Sequence, residues 1–177
     1  VNPNFYECLS AVAGCVNIIS TSLASCPAEV YRTEGNTRQE APAFPLSGLI
    51  RNGVNPYQSW HDFIEMEMRQ LLLRGNAVAH IIHDGAGRVI ELRPYPWDWV
   101  SLEVLRNGRL LYTVTDAQGM YGAPGATRRL LPEEVLHIKD GPDLPFIGRS
   151  RIARSAAVFA GGVDVQNFAS SLYSQGV

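Results

Sequence analysis

The stretch Leu71-Leu72-Leu73-Arg74-Gly75-Asn76-Ala77-Val78-Ala79-His80-Ile81-Ile82-His83 changes its hydrophobic period in the middle, and the fold class turns on that change. Before Gly75 the pattern is helical. Trp60, Phe63, Ile64, Met68, Leu71 and Leu72 share one helix face, and Ser59 with Asp62 reads as the N-terminus. Gly75 supplies the left-handed conformation that ends such a helix. From Ala77 to His83 the pattern is extended, and Arg88 to Arg93 returns across Asp84-Gly85-Ala86-Gly87 as the second arm of a hairpin.

Downstream, Val100, Leu102 and Val104 alternate before Asn107-Gly108, and Leu110, Tyr112 and Val114 alternate after it, which predicts a second hairpin with a type I′ turn. Asp116 to Thr127, rich in glycine, reads as an exposed loop, and Val135 to Lys139 as a last short strand. Upstream, Phe5, Leu9, Val12, Val16, Ile19 and Leu23 recur at steps of four and three, predicting a helix over Pro3 to Ser25 with Asn4 and Glu7 as its capping box. Glu29 to Thr33 suits a strand, Glu34 to Pro45 a loop, and Leu46 to Arg51 a short helical turn. The expected class is α+β: amphipathic helices packed on antiparallel hairpins.

Beyond Gly148 the pattern is helical again. Ile152, Ala156, Phe159 and Val163 form one apolar stripe, and Val158, Val165, Phe168 and Leu172 form another. Two stripes imply protein on both sides, so the stripe of Val158, Val165, Phe168 and Leu172 is expected to face a neighbouring subunit, as the candidate interface, or a further helix of the same protein. The chain starts at Val1 without a Met and stops just after this pattern, which reads as a piece of a longer protein.

With 177 residues and 46% hydrophobic side chains, one domain is expected. A net charge of -2, from 15 basic and 17 acidic residues, gives no phosphate-gripping footprint, so any DNA is guided rather than clamped. Cys8, Cys15 and Cys26 are too few and too clustered for a disulfide framework. No apolar run reaches the ~18 residues of a membrane span, and no membrane partner is expected.

No chemistry-bearing constellation assembles. His80 and His83 fall on opposite faces of a strand, and His61 and His137 lack ligand-spaced neighbours. Gly148-Arg149-Ser150-Arg151-Ile152 lacks the second glycine of a nucleophile elbow, and Gly85-Ala86-Gly87 is half a dinucleotide fingerprint placed in a turn. Glu65, Glu67, Glu133 and Glu134 read as solvated charges, and Trp97-Asp98-Trp99 as a loop packed on the sheet rather than a base-stacking platform. Neither catalytic residues nor a cofactor nor a metal is expected.

Taken in order, several segments resemble the portal proteins of long-tailed bacteriophages. They are Ala11 to Ile19, Pro27-Ala28-Glu29-Val30-Tyr31-Arg32, Leu49-Ile50, Asn55-Pro56-Tyr57-Gln58-Ser59, Phe63, Leu71 to Ala77, Gly87 to Pro94, Leu131 to Ile138 and Gly148-Arg149-Ser150. The loop Pro142 to Phe146 departs from the pattern, with two prolines and no second glycine beside Gly148.

The resemblance implies a structural, non-enzymatic subunit of the homo-oligomeric, dodecameric ring through which double-stranded DNA is packaged and ejected at one capsid vertex. Its partners would be the terminase large subunit, the major capsid protein and the head-tail connector. It would reside in the virion, after assembly in the host bacterial cytoplasm. Residues 1–147 would be an α+β wing domain and 148–177 the truncated start of the first stem helix. The competing readings are a stand-alone α+β binding or adaptor domain and, less favoured, an enzyme with dispersed catalytic groups.

Overall fold

The computed structural model describes residues 10–142, 144–155 and 171. Helix α1, Ser10–Ala24, occupies the described part of the first expected helix; its start, with Asn4, Glu7 and Cys8, lies outside the described residues. Strands β1 (Tyr31–Glu34) and β2 (Thr37–Glu40) follow, then helices α2 (Pro45–Asn52) and α3 (Trp60–Arg74). Strands β3 (Asn76–His83), β4 (Val89–Tyr95), β5 (Val100–Val104), β6 (Leu110–Asp116), β7 (Ala126–Leu130) and β8 (Val135–Lys139) precede a short helix α4, Arg151–Arg154. The α+β class is the one expected.

The strands form two antiparallel three-stranded sheets, ordered β4-β3-β8 and β5-β6-β7, besides the β1-β2 hairpin. Strand alternation divides the core. Val78, Tyr95 and Val135 of the first sheet meet Tyr112, Val114 and Leu130 of the second, while Ala79 and Leu92 on the opposite face meet Leu49, Val54 and Phe63 from the α2–α3 region. A third cluster joins Val16 of α1, Leu73 of α3 and Ile152 of α4. The β4-β3-β8 sheet is therefore a middle layer, covered by helices on one side and by the second sheet on the other.

Helix α3 is delimited as its sequence predicts. The Ser59 hydroxyl oxygen accepts from Asp62 N (3.2 Å), the Asp62 carboxylate accepts from Ser59 N (3.0 Å), and Gly75 sits at φ 77°. This reciprocal cap satisfies two N–H groups that the helix leaves open.

Three expectations change. The segment expected as a loop from Glu34 to Pro45 contains β2, which pairs with β1 around Gly35-Asn36, with Gly35 at φ 61°. All eight strand residues are exposed, so no one-sided apolar alternation betrays them. The turn at Asn107-Gly108 is not type I′, because Gly108 has positive φ and Asn107 does not. Leu105 and Arg109 continue the ladder (Leu105 N to Arg109 O, 2.8 Å), and Arg106-Asn107-Gly108 forms a three-residue loop with Gly108 at φ 78°.

The third change concerns Asp116 to Thr127, expected as an exposed loop. Asp116 ends β6 and is 1% exposed, and its carboxylate accepts from Met120 N (2.8 Å) and Tyr121 N (2.7 Å). Ala126 and Thr127 already belong to β7. Burial raises the pKa of Asp116, but the backbone donors of Tyr121, Met120 and Gly119 outweigh it and hold the carboxyl below its ordinary value.

Replacing Asp116 by Ala leaves two partly buried N–H groups without their carboxylate acceptor. The expected cost is about 2–3 kcal/mol, since hydrogen bonds to charged groups contribute roughly 1.5–3 kcal/mol. Urea denaturation measures it, and an unchanged midpoint would show that the loop holds its own shape.

Candidate functional site

Two of the segments that carry the family resemblance, Arg74-Gly75-Asn76-Ala77 and Gly148-Arg149-Ser150, meet in three dimensions. Asn76, 1% exposed at the start of β3, holds its amide against the backbone of Gly148. Its Oδ1 accepts from Gly148 N (2.8 Å) and its Nδ2 donates to Gly148 O (2.9 Å) and Arg74 O (3.2 Å). One side chain thus satisfies both backbone groups of a residue 72 positions away.

Around this amide the two segments run in close contact. Gly75 O accepts from Asp140 N (2.9 Å), Asp140 O accepts from Arg149 N (3.0 Å), and the Ser150 hydroxyl donates to Leu73 O (2.6 Å). The approach requires two glycines. A Cβ on Gly75 would stand 2.5 Å from the carbonyl carbon of Arg149, and one on Gly148 would stand 2.0 Å from Gly75 O. Charged side chains close the edges: Arg74 pairs with Asp98 (3.0 Å), and Arg151 pairs with Asp140.

His137 extends the network into the second sheet. Because Asn76 Oδ1 is fixed as an acceptor by the Gly148 N–H, His137 must donate from Nε2 (3.1 Å), which leaves Nδ1 to accept from the Tyr112 hydroxyl (3.1 Å). Trp97 stacks on the imidazole at 5.4 Å between centroids. Burial, reinforced by Lys139, depresses the His137 pKa to about 4. A neutral imidazole with one N–H and one free lone pair is what these two partners require.

The sequence-selected residues distribute as follows. Val158, Val165, Phe168 and Leu172, with Ala156, Phe159 and Val163, lie outside the described residues; Ile152 is 5% exposed and packs on Val16 and Leu73. His80 is buried within β3, and His83 is exposed at its end, beyond a register irregularity between Ile82 and His83. Trp97 and Trp99 pack on the core between the sheets. Glu133 pairs with Arg109, and Glu134 accepts from Leu131 N (2.8 Å). Cys15 and Cys26 are free and exposed. Among the described residues no cluster of three His, Cys, Asp or Glu side chains could hold a metal ion.

Glu67 corrects the expectation of a solvated charge. It follows Phe63 by one helical turn on the buried side of α3, is 4% exposed, and among the described residues neither carboxyl oxygen has a hydrogen-bond partner. Burial alone raises its pKa to about 8. Glu65, by contrast, is tied to Arg69 at 2.9 Å. Asn76 is the residue whose role sequence reasoning did not reach, although it stands inside the segment that reasoning valued most.

Two measurements test this geometry. Gly148→Ala should destabilise by about 2–3 kcal/mol or more, because its methyl group meets a backbone oxygen that no rotamer change can move aside; wild-type denaturation would refute the contact. Stability should also fall at both ends of the pH range. His137 binds its proton at about 4 when folded and at 6.5 when unfolded, so its contribution is complete above pH 6.5 and disappears as the pH falls towards 4. Glu67, at about 8 folded against 4.5 unfolded, contributes fully below pH 4.5 and loses that contribution as the pH rises through 8. His137→Phe should flatten the acid limb and Glu67→Gln the alkaline limb; limbs that persist in both variants would show that other groups set them.

Comparison with known proteins gives this clasp its context. The family described as "Phage portal protein" matches residues 10–177. The portal protein of Enterobacteria phage HK97 is 36% identical over 88 residues, which span 49% of this chain and 21% of that protein. Two solved structures share the fold: the neck of an empty GTA particle computed with C6 symmetry (TM-score 0.71, 22% identity, 92% of this chain and 41% of that one) and the neck of a native GTA particle computed with C12 symmetry (TM-score 0.70, 20% identity, 98% and 42%). The chain thus spans less than half the length of each of these relatives. With the family pattern running through α1, α3, the sheets and Gly148 alike, this chain belongs to the phage portal protein family.

Proposed function

We propose that the chain is part of a structural subunit of a portal ring, through which double-stranded DNA enters and leaves a capsid at one vertex. The observation that carries the reading is the family match across residues 10–177. In this reading residues 1–147 form the wing and 148–177 begin the first stem helix. The clasp at Asn76 then lies at the boundary, where it fixes the direction in which the chain leaves the wing. The subunit does no chemistry itself, and the ATP that drives packaging is hydrolysed by the terminase.

The ring is dodecameric, a number supported by the twelvefold symmetry applied to a relative of the same fold. It sits in the virion after assembly in the host cytoplasm, docking the terminase large subunit during packaging, the head-tail connector afterwards, and the major capsid protein around its rim. A net charge of -2 suits a part of the ring that does not grip the phosphate backbone, since tight non-specific DNA binding rests on neutralising phosphates with Lys and Arg.

Electron microscopy of the full-length protein tests the proposal. Twelvefold rings with this fold away from the channel axis are expected. A full-length protein that stays monomeric at micromolar concentration would overturn it in favour of a stand-alone binding domain, and ATP turnover abolished by a point substitution would overturn the non-enzymatic part.

A further inference from the structure

Four glycines of this chain follow an Asn or an Asp: Asn52-Gly53, Asp84-Gly85, Asn107-Gly108 and Asp140-Gly141. These pairs share a latent reaction. Glycine has no side chain to shield its main-chain nitrogen, so that nitrogen can attack the side-chain carbonyl carbon of the residue before it and close a five-membered ring. The structure separates the four.

Both aspartates are held ionised, and an ionised carboxylate resists a nucleophile. Asp84 Oδ1 accepts from Ala86 N and Arg88 N (2.9 Å each), and its Oδ2 accepts from Arg88 Nε (2.8 Å). Asp140 pairs with Arg151. The Arg88 main chain keeps Asp84, and the Arg151 guanidinium keeps Asp140, below the ordinary carboxylate pKa.

The two asparagines stand in the same tripeptide, Arg51-Asn52-Gly53 and Arg106-Asn107-Gly108, so any difference between them comes from the fold. Asn52 is protected by the core. Gly53 N donates to Leu49 O (3.1 Å) at the end of α2, and the next residue, Val54, is 0% exposed, donates to Gln58 O (3.1 Å) and accepts from Leu92 N (2.9 Å). Releasing Gly53 N therefore disturbs α2 and the edge of β4 together.

At the tip of the β5-β6 hairpin, Arg106, Asn107, Gly108 and Arg109 are all exposed. The bond from Gly108 N to Leu105 O (2.8 Å) must open before attack, and exposed loops with few buried contacts are where a fold opens most cheaply. The side chain is already set for the reaction, since Asn107 Oδ1 accepts from Arg109 N (3.1 Å). Attack at Cγ places negative charge on that oxygen, and an N–H aimed at it in advance stabilises the charge.

We propose that Asn107 is a spontaneous modification site, at which the main-chain nitrogen of Gly108 displaces ammonia from the side-chain amide and water then opens the ring. The bond from Gly108 N to Cγ forms as the Cγ–Nδ2 bond breaks, and ammonia leaves with the Gly108 proton. Water adds to either ring carbonyl. Opening at Cγ gives aspartate; opening at the main-chain carbon gives isoaspartate, which routes the backbone through the side chain and inserts a methylene between Leu105 and Arg109. Either product adds a negative charge beside Arg106 and Arg109, the latter being the residue that ties the hairpin to Glu133.

The test incubates full-length protein at mildly alkaline pH, folded and in guanidinium chloride. Peptides are mapped by mass spectrometry for the one-dalton gain and by enzymatic methylation of isoaspartate. In denaturant Asn52 and Asn107 should convert alike. In the folded protein Asn107 should convert faster than Asn52 by about tenfold or more, roughly 1.4 kcal/mol in the barrier. Asn107→Gln, whose longer side chain would have to close a six-membered ring, should remove most of the isoaspartate from the folded protein while leaving Asn52 conversion in denaturant unchanged.

Equal conversion of the two asparagines in the folded protein would overturn the proposal. So would isoaspartate persisting in folded Asn107→Gln. Asn107 staying intact in the folded protein, whatever it does in denaturant, would show that the Leu105 carbonyl protects the tip, and would overturn the proposal as well.

Discussion

One buried amide holds the architecture together. Asn76 reads the backbone of Gly148 through a donor and an acceptor at once, so at Gly148 the segment after β8 is bound by its main chain. That makes the contact insensitive to the identity of nearby surface residues but intolerant of extra volume, which is why Gly75 and Gly148 accompany it. The middle sheet depends on the same point. Strand β3 begins at Asn76 and pairs with β4 on one side and β8 on the other, and the His137 that steadies the amide comes from β8 and reaches Tyr112 in the second sheet.

Set against this satisfied network, Glu67 stands out as its opposite. A buried carboxyl group without a hydrogen-bond partner among the described residues favours its neutral form, because desolvation penalises the charge. His137 stays neutral for the same reason, though with both ring nitrogens engaged. One layer of helices and one layer of sheets each hold a titratable group in its uncharged state, and the two respond to pH in opposite directions.

How much of this was legible in the sequence depends on how local the cause was. Helix α3 was readable from end to end because Ser59, Asp62 and Gly75 act on their own backbone within a turn. The hairpin of β5 and β6 was readable from alternation, although its loop geometry was not: within the loop Gly108 alone adopts positive φ, and the ladder closes on Leu105 and Arg109 instead of the Arg106 and Arg109 pair of a two-residue turn. Strands β2 and β7 escaped because polar residues dominate them, Arg128-Arg129 in β7 among these, whereas β1 overlaps the strand read at Glu29 to Thr33. Asn76 could not be recognised as a clasp from its neighbours, since its partner is brought to it only by the pairing of β3 with β8. Glu67 was misread because two glutamates in a helix look alike until the layer above them is known.

The loop after β6 has a different bearing. Its fold is imposed by one carboxylate on main-chain N–H groups, those of Met120 and Tyr121, and main-chain groups are common to every residue except proline. Most side chains between Ala117 and Gly125 are therefore released from the task of shaping their own backbone, while Asp116 remains tied to it. Such a division lets the exposed positions of the loop, Gln118 and Ala123 among them, offer different surface chemistry without disturbing the scaffold beneath, while Gly119, at φ 72° against Pro124, and Tyr121, packed on Tyr95, stay fixed.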